Sequence, residues 1–128
     1  MPTVTTSFTE RILAYLATQR IGRLATVDPH GAPQNNPVSF RYDPDHQTID
    51  IGGHALGASR KFRNIAGNNR VAFVVDDIAS YQPWHVRCVE IRGHAEQLHD
   101  QVPPMPGFSS ELIRIHPDRI ISFGLDEQ

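Results

Sequence analysis

The stretch GASRKFRNIAGNNRVAFVVDD, residues 57–77, decides the fold because it joins a helix signal directly to a strand signal. We expect a short helix at 59–66, where Phe62 and Ile65 recur at helical spacing and a Gly-Asn pair follows. The apolar run VAFVVDD then predicts a central strand at 71–77 that is buried on both faces. The helix should therefore lead into the middle of a sheet.

Two adjacent cations, Arg60 and Lys61, stand in the first turn of this helix, directly after Ser59. Cations are unfavourable there because they face the positive end of the helix dipole. A bound anion would remove the conflict, since a helix N-terminus attracts anions and both side chains bind phosphate. The three residues therefore predict a phosphate clamp. The alternative that the residues leave open is that both long side chains extend into water.

The rest of the chain has the pattern of antiparallel strands joined by tight turns, such as DPHG and DPDH. Six or seven strands with two short helices favour a mainly β fold, an antiparallel barrel in one domain that spans residues 1–128. The expected elements are a helix at 9–18 capped by Ser7 and Glu10, strands at 21–27, 32–42, 48–53, 71–77, 86–98, 112–115 and 119–123, and a proline-rich loop at 99–110. A bulge or bend is expected at Gly93.

The second strand of this series contains Pro33 and Pro37, neither of which can donate a hydrogen bond to a neighbouring strand. We therefore expect an edge strand, a bulged strand, or a strand whose backbone faces something other than protein. A ligand is one such partner.

Composition limits the class of protein. The chain has 128 residues, 39% hydrophobic and 20% charged, which is enough for one modest core. A net charge of −2 gives no general attraction to nucleic acid or to an anionic membrane, so an anion site has to be local. There is no apolar run of membrane-spanning length, and the cytoplasm is the expected compartment.

The residues do not favour metal binding or covalent catalysis. The seven histidines lack the spacing of a metal site, so we expect no metal. The single cysteine, Cys88, is expected to be a small core residue and not a nucleophile. Among the histidines, His54 lies beside Gly52 and Gly53 and is a candidate for the substrate side of a site.

Together these segments resemble the pyridoxamine 5′-phosphate oxidase superfamily, the flavin-binding split β-barrels. Ser59-Arg60-Lys61 matches the family's triplet directly, and Asn68-Asn69 replaces its Asn-Pro before the next strand. Residues 23–43 are similar to its opening hairpin, residues 86–98 resemble its long strand, and the likeness covers residues 20–124.

Within the superfamily, the chain looks most like the compact group that uses the deazaflavin coenzyme F420 in place of FMN. The features that carry this likeness are the GASRK block, the VVDD strand end and the tail RIHPDRIISFG. Phe123 stands where relatives often have tryptophan, which retains an aromatic ring but removes a donor.

The resemblance implies a cofactor site and a homodimer with such sites at the subunit interface. Asn35 is expected near the polar edge of the cofactor ring. Trp84, Arg87 and Phe123 would reach the partner's site; alternatively, Trp84 covers the barrel end, Phe123 is dimer core and Arg87 balances Glu90. The expected cofactor-binding residues are Ser59, Arg60, Lys61, Asn36, Pro37, Val38, Ser39, Gly52, Gly53, Trp84 and Arg87.

The activity that the resemblance implies is hydride transfer from reduced coenzyme F420 to an unsaturated or quinone-like small molecule. Two alternatives are an FMN-dependent enzyme on the same fold and a non-catalytic carrier of flavin, deazaflavin or haem. No residue stands out as the general acid.

Overall fold

In the computed structural model, which describes residues 2–125, seven strands form one closed antiparallel sheet with two α-helices beside it. The order in the sheet is β1-β7-β4-β3-β2-β5-β6, and β6 also pairs with β7, which closes the barrel. This confirms the predicted mainly β split barrel. The elements are β1 Thr3–Thr5, α1 Glu10–Leu16, β2 Ile21–Val27, β3 Pro33–Asp43, β4 Thr48–Ile51, α2 Arg60–Gly67, β5 Arg70–Tyr81, β6 Trp84–Leu98 and β7 Leu112–Phe123, with a 3₁₀ turn at Leu56–Ala58.

Strand β3 is shared between two parts of the barrel. Its first part, residues 33–39, pairs with β2, whereas its second part, Phe40 to Asp43, pairs with β4. Within residues 2–125, the other edge of residues 33–39 has no strand partner. The edge-strand prediction made from the two prolines is therefore confirmed.

The barrel interior is filled by alternate residues of each strand. On β5, Val71, Phe73 and Val75 point inward and are buried, whereas Ala72 and Val74 between them are half-buried. The prediction that this strand is buried on both faces was wrong. A strand in a closed barrel has one face on the core and one on the outside, and an apolar run does not reveal which arrangement applies.

The C-terminal part also differs from the prediction. It forms one strand, β7, where two short strands were expected on either side of His116 and Pro117. The strand continues through an irregularity opposite Gly93: Arg92 pairs with Arg119 and Gly93 with Pro117, so Asp118 of β7 is the extra residue. The irregularity expected at Gly93 is present, with its extra residue on the neighbouring strand. A Cβ at Gly93 would lie 2.1 Å from the carbonyl oxygen of His116, so only glycine allows β7 to pass this closely.

The N-cap of helix α1 lies two residues after the predicted one. Thr9, and not Ser7, is the N-cap, and its Oγ1 accepts a hydrogen bond from the backbone N–H of Ile12 at 3.2 Å. Neither α1 nor α2 is long and apolar enough to cross a membrane, and residues 2–125 contain no other α-helix.

Candidate functional site

A cavity of about 300 Å³ lies between the free edge of β3 and the start of α2. It brings together most of the residues that were expected to hold a cofactor. Its lining consists of Pro37, Val38, Ser39, Gly52, Gly53, His54, Leu56, Ser59, Lys61 and Phe108.

Ser59 is the N-cap of α2, and its hydroxyl group is used within the protein. The Oγ atom donates a hydrogen bond to the carbonyl oxygen of Leu56 at 2.6 Å and accepts one from the N–H of Phe62 at 3.3 Å. The hydroxyl therefore holds the turn before the helix onto its first residues. The backbone N–H groups of Arg60 and Lys61 are the ones left for an anion.

Helix α2 is anchored to the barrel by a buried polar side chain. Asn64 is 3% exposed, and its Nδ2 donates to Thr26 Oγ1 at 3.0 Å and to Gln34 Oε1 at 2.9 Å. Phe62 and Ile65 lie in the core, as their spacing predicted. These contacts fix α2 against β2 and β3, next to the cavity.

The two cations of the predicted clamp lie in different places. Lys61 is half-buried and lines the cavity, whereas Arg60 is exposed and lies outside the lining. Arg60 lies toward the β2–β3 turn. There the backbone N–H of Ala32 is the main cause of the lowered pKa of Asp28, and the charge of Arg60 is a smaller one.

The strand edge contributes Pro37, Val38 and Ser39 to the cavity. Val38 is 7% exposed and also belongs to the core, whereas Pro37 and Ser39 are exposed. Asn35 and Asn36 are exposed on the same strand and do not line the cavity. Their expected place at the edge of a cofactor ring stays a prediction.

The loop at 99–111 forms the remaining wall and packs onto the segment that follows β4. Ser109 provides most of the attachment: its N–H donates to the carbonyl oxygen of Gly53 at 2.9 Å, and its Oγ accepts from Leu56 N–H at 2.9 Å. Glu111 Oε1 accepts from the N–H of Gly57 at 3.3 Å. The loop is therefore connected to the residues immediately before the clamp.

Gly52 is required by this packing. A Cβ there would lie 2.9 Å from side-chain atoms of Phe108 and Pro104, whereas a Cβ at Gly53 would be 3.6 Å from Leu56, an ordinary contact. The space that Gly52 leaves is thus occupied by the loop. Its expected role of admitting a ligand stays a prediction.

His54 lines the cavity and is held by the same loop. Its Nδ1 lies 2.8 Å from the carbonyl oxygen of Gly107, and its ring meets that of Phe108 edge-on with centroids 4.9 Å apart. His54 is therefore an oriented imidazole at the cavity, and its expected place on the substrate side stays a prediction.

A second cavity of about 170 Å³ adjoins the first and shares Ser39, Gly52 and Phe108 with it. Its wall is mainly apolar, with Arg41 at the rim and Asp50 held in a buried ion pair with Arg114. The apolar side chains that line it are Phe40, Pro104, Met105 and Phe108.

Trp84 and Arg87 lie away from both cavities in the single chain. Trp84 is 64% exposed and packs edge-on against Tyr81 near the β5–β6 turn. Arg87 donates from Nε to Asp77 Oδ1 at 2.9 Å and lies over the ring of Tyr15 at 5.1 Å. The nearby Glu90, the alternative partner expected for Arg87, binds Arg92. Phe123 is 41% exposed.

The remaining candidate groups are a thiol and the histidines. Cys88 is half-buried and lies outside the core cluster, and burial raises its pKa to about 11, which keeps the thiol protonated at neutral pH. Among residues 2–125, no group of three or more His, Cys, Asp or Glu side chains is placed to hold a metal ion.

Sequence reasoning missed the loop's part in the site, above all Phe108, Ser109 and Glu111. They contact residues more than 50 positions earlier in the chain, so no local pattern reveals them. The one sequence feature that pointed to the loop was the pair Gly52-Gly53 followed by His54. Two adjacent glycines indicate that another segment packs closely against the backbone, but they do not show which segment it is.

Comparison with known proteins agrees with this architecture. Residues 8–120 match the family model described as pyridoxamine 5′-phosphate oxidase. Over 120 residues the chain is 49% identical to the 5a,11a-dehydrotetracycline/5a,11a-dehydrooxytetracycline reductase of Streptomyces rimosus subsp. rimosus, covering 93% of this chain and 84% of the relative.

Two solved structures share the fold at low sequence identity. A conserved hypothetical protein from Mycobacterium tuberculosis superposes with a TM-score of 0.71 at 20% identity, covering 93% of this chain and 86% of that one. An FAD-binding protein from Mesorhizobium loti gives a TM-score of 0.66 at 17% identity, with 95% and 97% covered. The chain therefore belongs to the pyridoxamine 5′-phosphate oxidase family of split β-barrels.

Proposed function

We propose that this protein is a reductase that binds reduced coenzyme F420 in the cavity between β3 and α2 and directs a hydride to an unsaturated or quinone-like small molecule. The observation that carries the proposal is that one cavity joins an unpaired strand edge to a helix start with a lysine. Proteins of this family bind flavin-type cofactors, and the first element suits a planar ring while the second suits a phosphate.

The residues present fit such a cofactor. Lys61 and the free N–H groups at the start of α2 would hold the phosphate, and Ser59 would keep those groups aligned as the cap. The exposed Arg60 side chain would contact the phosphate from its solvent side. Residues 37–39 would lie along the ring, where their unpaired edge can hydrogen-bond its polar atoms. Reduced deazaflavin, when bound, supplies the hydride.

The acceptor is proposed to enter the adjoining cavity beside the ring. The apolar wall of this cavity suits a flat ring system, and Arg41 at the rim suits an anionic oxygen. A relative at 49% identity is named as a reductase of 5a,11a-dehydrotetracycline, a name that denotes a carbon–carbon double bond. We take a polycyclic unsaturated ketone of this kind as the first acceptor to test.

A homodimer is part of the proposal. Large apolar side chains are exposed along the β5–β6 turn and the end of β7, and a partner subunit would bury them. In that arrangement Trp84 and Arg87 of one subunit would approach the other subunit's cavity. The side chains concerned are Ile78 at 42%, Tyr81 at 72%, Trp84 at 64% and Phe123 at 41% exposure.

The test has two stages on the purified protein. Titration with oxidised coenzyme F420, FMN and haem, followed by absorbance, identifies the cofactor; the proposal expects F420 to bind most tightly. Oxidation of reduced coenzyme F420 by 5a,11a-dehydrotetracycline then separates an enzyme from a carrier. If FMN binds more tightly and supports turnover, the protein is an FMN-dependent enzyme and the F420 assignment is wrong. If the cofactor binds but no member of a panel of enones and quinones is reduced, the protein is a cofactor carrier.

A further inference from the structure

We propose that His54 is the proton donor of the reaction, delivering a proton from Nε2 to the acceptor after hydride addition. The inference rests on the proposed function, because it requires an acceptor that becomes an anion when it receives a hydride.

The hydrogen bond at Nδ1 determines which ring nitrogen can act. The carbonyl oxygen of Gly107 can only accept, so at 2.8 Å the Nδ1 of His54 carries the hydrogen. Nε2 has no hydrogen-bond partner among residues 2–125 and is left for a ligand. The edge-on contact with Phe108 further restricts the ring.

His54 belongs to the larger cavity and is connected to the smaller one through residues that it contacts or that line both. It lines the larger cavity with Ser39 and contacts Phe108, and both of these residues also line the smaller one. His54 is exposed, so water can return the proton after each turnover.

Few charged groups compete with His54 for this role. Lys61 is the other titratable side chain among those that line the larger cavity, and it is assigned to the phosphate. From the loop, Glu111 faces the Gly57 N–H, and hydrogen bonds, first from Ser109, lower its pKa, so it stays ionised. With Lys61 assigned to the phosphate and Glu111 ionised, His54 is the remaining candidate donor among these three residues.

A hydride that the bound reduced cofactor would supply adds to one carbon of the acceptor's double bond, and the π electrons move to the carbonyl oxygen to give an enolate. The Nε2–H bond of the His54 imidazolium breaks as the proton forms a C–H bond at the other carbon. The acceptor gains two electrons and two hydrogens, the cofactor loses a hydride, and neutral His54 takes a proton from water.

The first test needs no cofactor. Long-range ¹H–¹⁵N NMR on the whole protein, with the His54 signals assigned by their loss in His54→Asn, reads the neutral tautomer directly. We expect a protonated Nδ1 and an unprotonated Nε2. A neutral ring that carries its hydrogen on Nε2 would overturn the inference.

The second test separates proton transfer from support of the loop. In His54→Asn the amide Nδ2 can still donate to Gly107 while the Nε2 position is lost. We expect cofactor affinity within about twofold of wild type and turnover of 5a,11a-dehydrotetracycline with reduced coenzyme F420 slowed roughly 100-fold. The wild-type rate should depend on pH because Nε2 has to carry the proton that it donates, and the variant's rate should lose this dependence. The control His46→Asn alters a turn residue bound to Asp43 and should behave as wild type.

The outcomes are distinguishable. If wild type turns over and His54→Asn keeps its rate and pH profile, the proton-donor role is excluded and the proposed function stands. If wild type binds no cofactor or reduces no acceptor, the proposed function is wrong and the role of His54 is lost with it.

Discussion

Replacing Lys61 with alanine should weaken cofactor binding more than replacing Arg60, although the two residues are neighbours of equal charge. The difference follows from their positions: Lys61 is half-buried and lines the cavity, whereas Arg60 is exposed outside it. Helix propensities of lysine, arginine and alanine are similar, so neither change should disturb α2 itself.

The expected magnitudes can be estimated from exposure. A hydrogen bond to a charged group contributes about 1.5–3 kcal/mol when it is shielded, and partial exposure places Lys61 at the lower end, near 1.5 kcal/mol or roughly tenfold in Kd. An exposed ion pair contributes about 0.2–1 kcal/mol, so Arg60→Ala should raise Kd by at most about fivefold.

The assay is an equilibrium titration of each variant with coenzyme F420 and with FMN at low and high salt. Arg63→Ala, an exposed cation on the same helix, is the matched control and should bind as wild type. Urea unfolding of each variant checks that stability is unchanged. A loss within twofold for Lys61→Ala, or a larger loss for Arg60→Ala, would refute this account of the clamp.

Three further predictions concern the stability of the fold. Asn64→Ala, which removes a buried hydrogen bond to β2 and a partly buried one to β3, should lower the free energy of unfolding by about 2–3 kcal/mol in urea titration; a loss below about 0.5 kcal/mol would contradict the anchor. Gly52→Ala should cost about 1–3 kcal/mol by displacing Phe108, whereas Gly53→Ala should be close to neutral; equal effects would show that the loop does not pack as described. The hydrogen bond from Arg87 on β6 is the main cause of the lowered pKa of Asp77. The ionised carboxylate therefore stabilises the fold when the pH is above the ordinary pKa of 3.8, and this stabilisation is lost as the pH falls through the lowered pKa. Asp77→Asn should therefore destabilise the protein at pH 7, by an amount that shrinks as the pH falls below 3.8; a constant difference would contradict the ion pair.

The strands could be predicted where local chemistry determines them. Tight turns set the hairpins, and Pro37 correctly indicated an unpaired edge because a residue without N–H cannot serve a central strand. The continuous strand β7 could not be predicted, since Pro117 interrupts its pattern and the pairing that restores it depends on Gly93, 24 positions earlier.

The candidate site likewise has one part that local sequence motifs predict and one part that they do not. The triplet at Ser59 and the strand edge at 37–39 are local motifs, and the structure brings both to one cavity except for the Arg60 side chain. The loop wall formed by Phe108 and its neighbours depends on hydrogen bonds and ring contacts between distant segments. Such contacts leave no periodicity in the sequence, so only the folded chain reveals them.

The central claim is that the cavity between β3 and α2 holds the phosphate and the ring of a deazaflavin cofactor. A crystal structure of the protein saturated with coenzyme F420 tests it most directly. We expect the phosphate within hydrogen-bond distance of Lys61 Nζ and the first N–H groups of α2, with the ring along residues 37–39. A cofactor bound elsewhere on the barrel, with this cavity filled by solvent, would contradict the account.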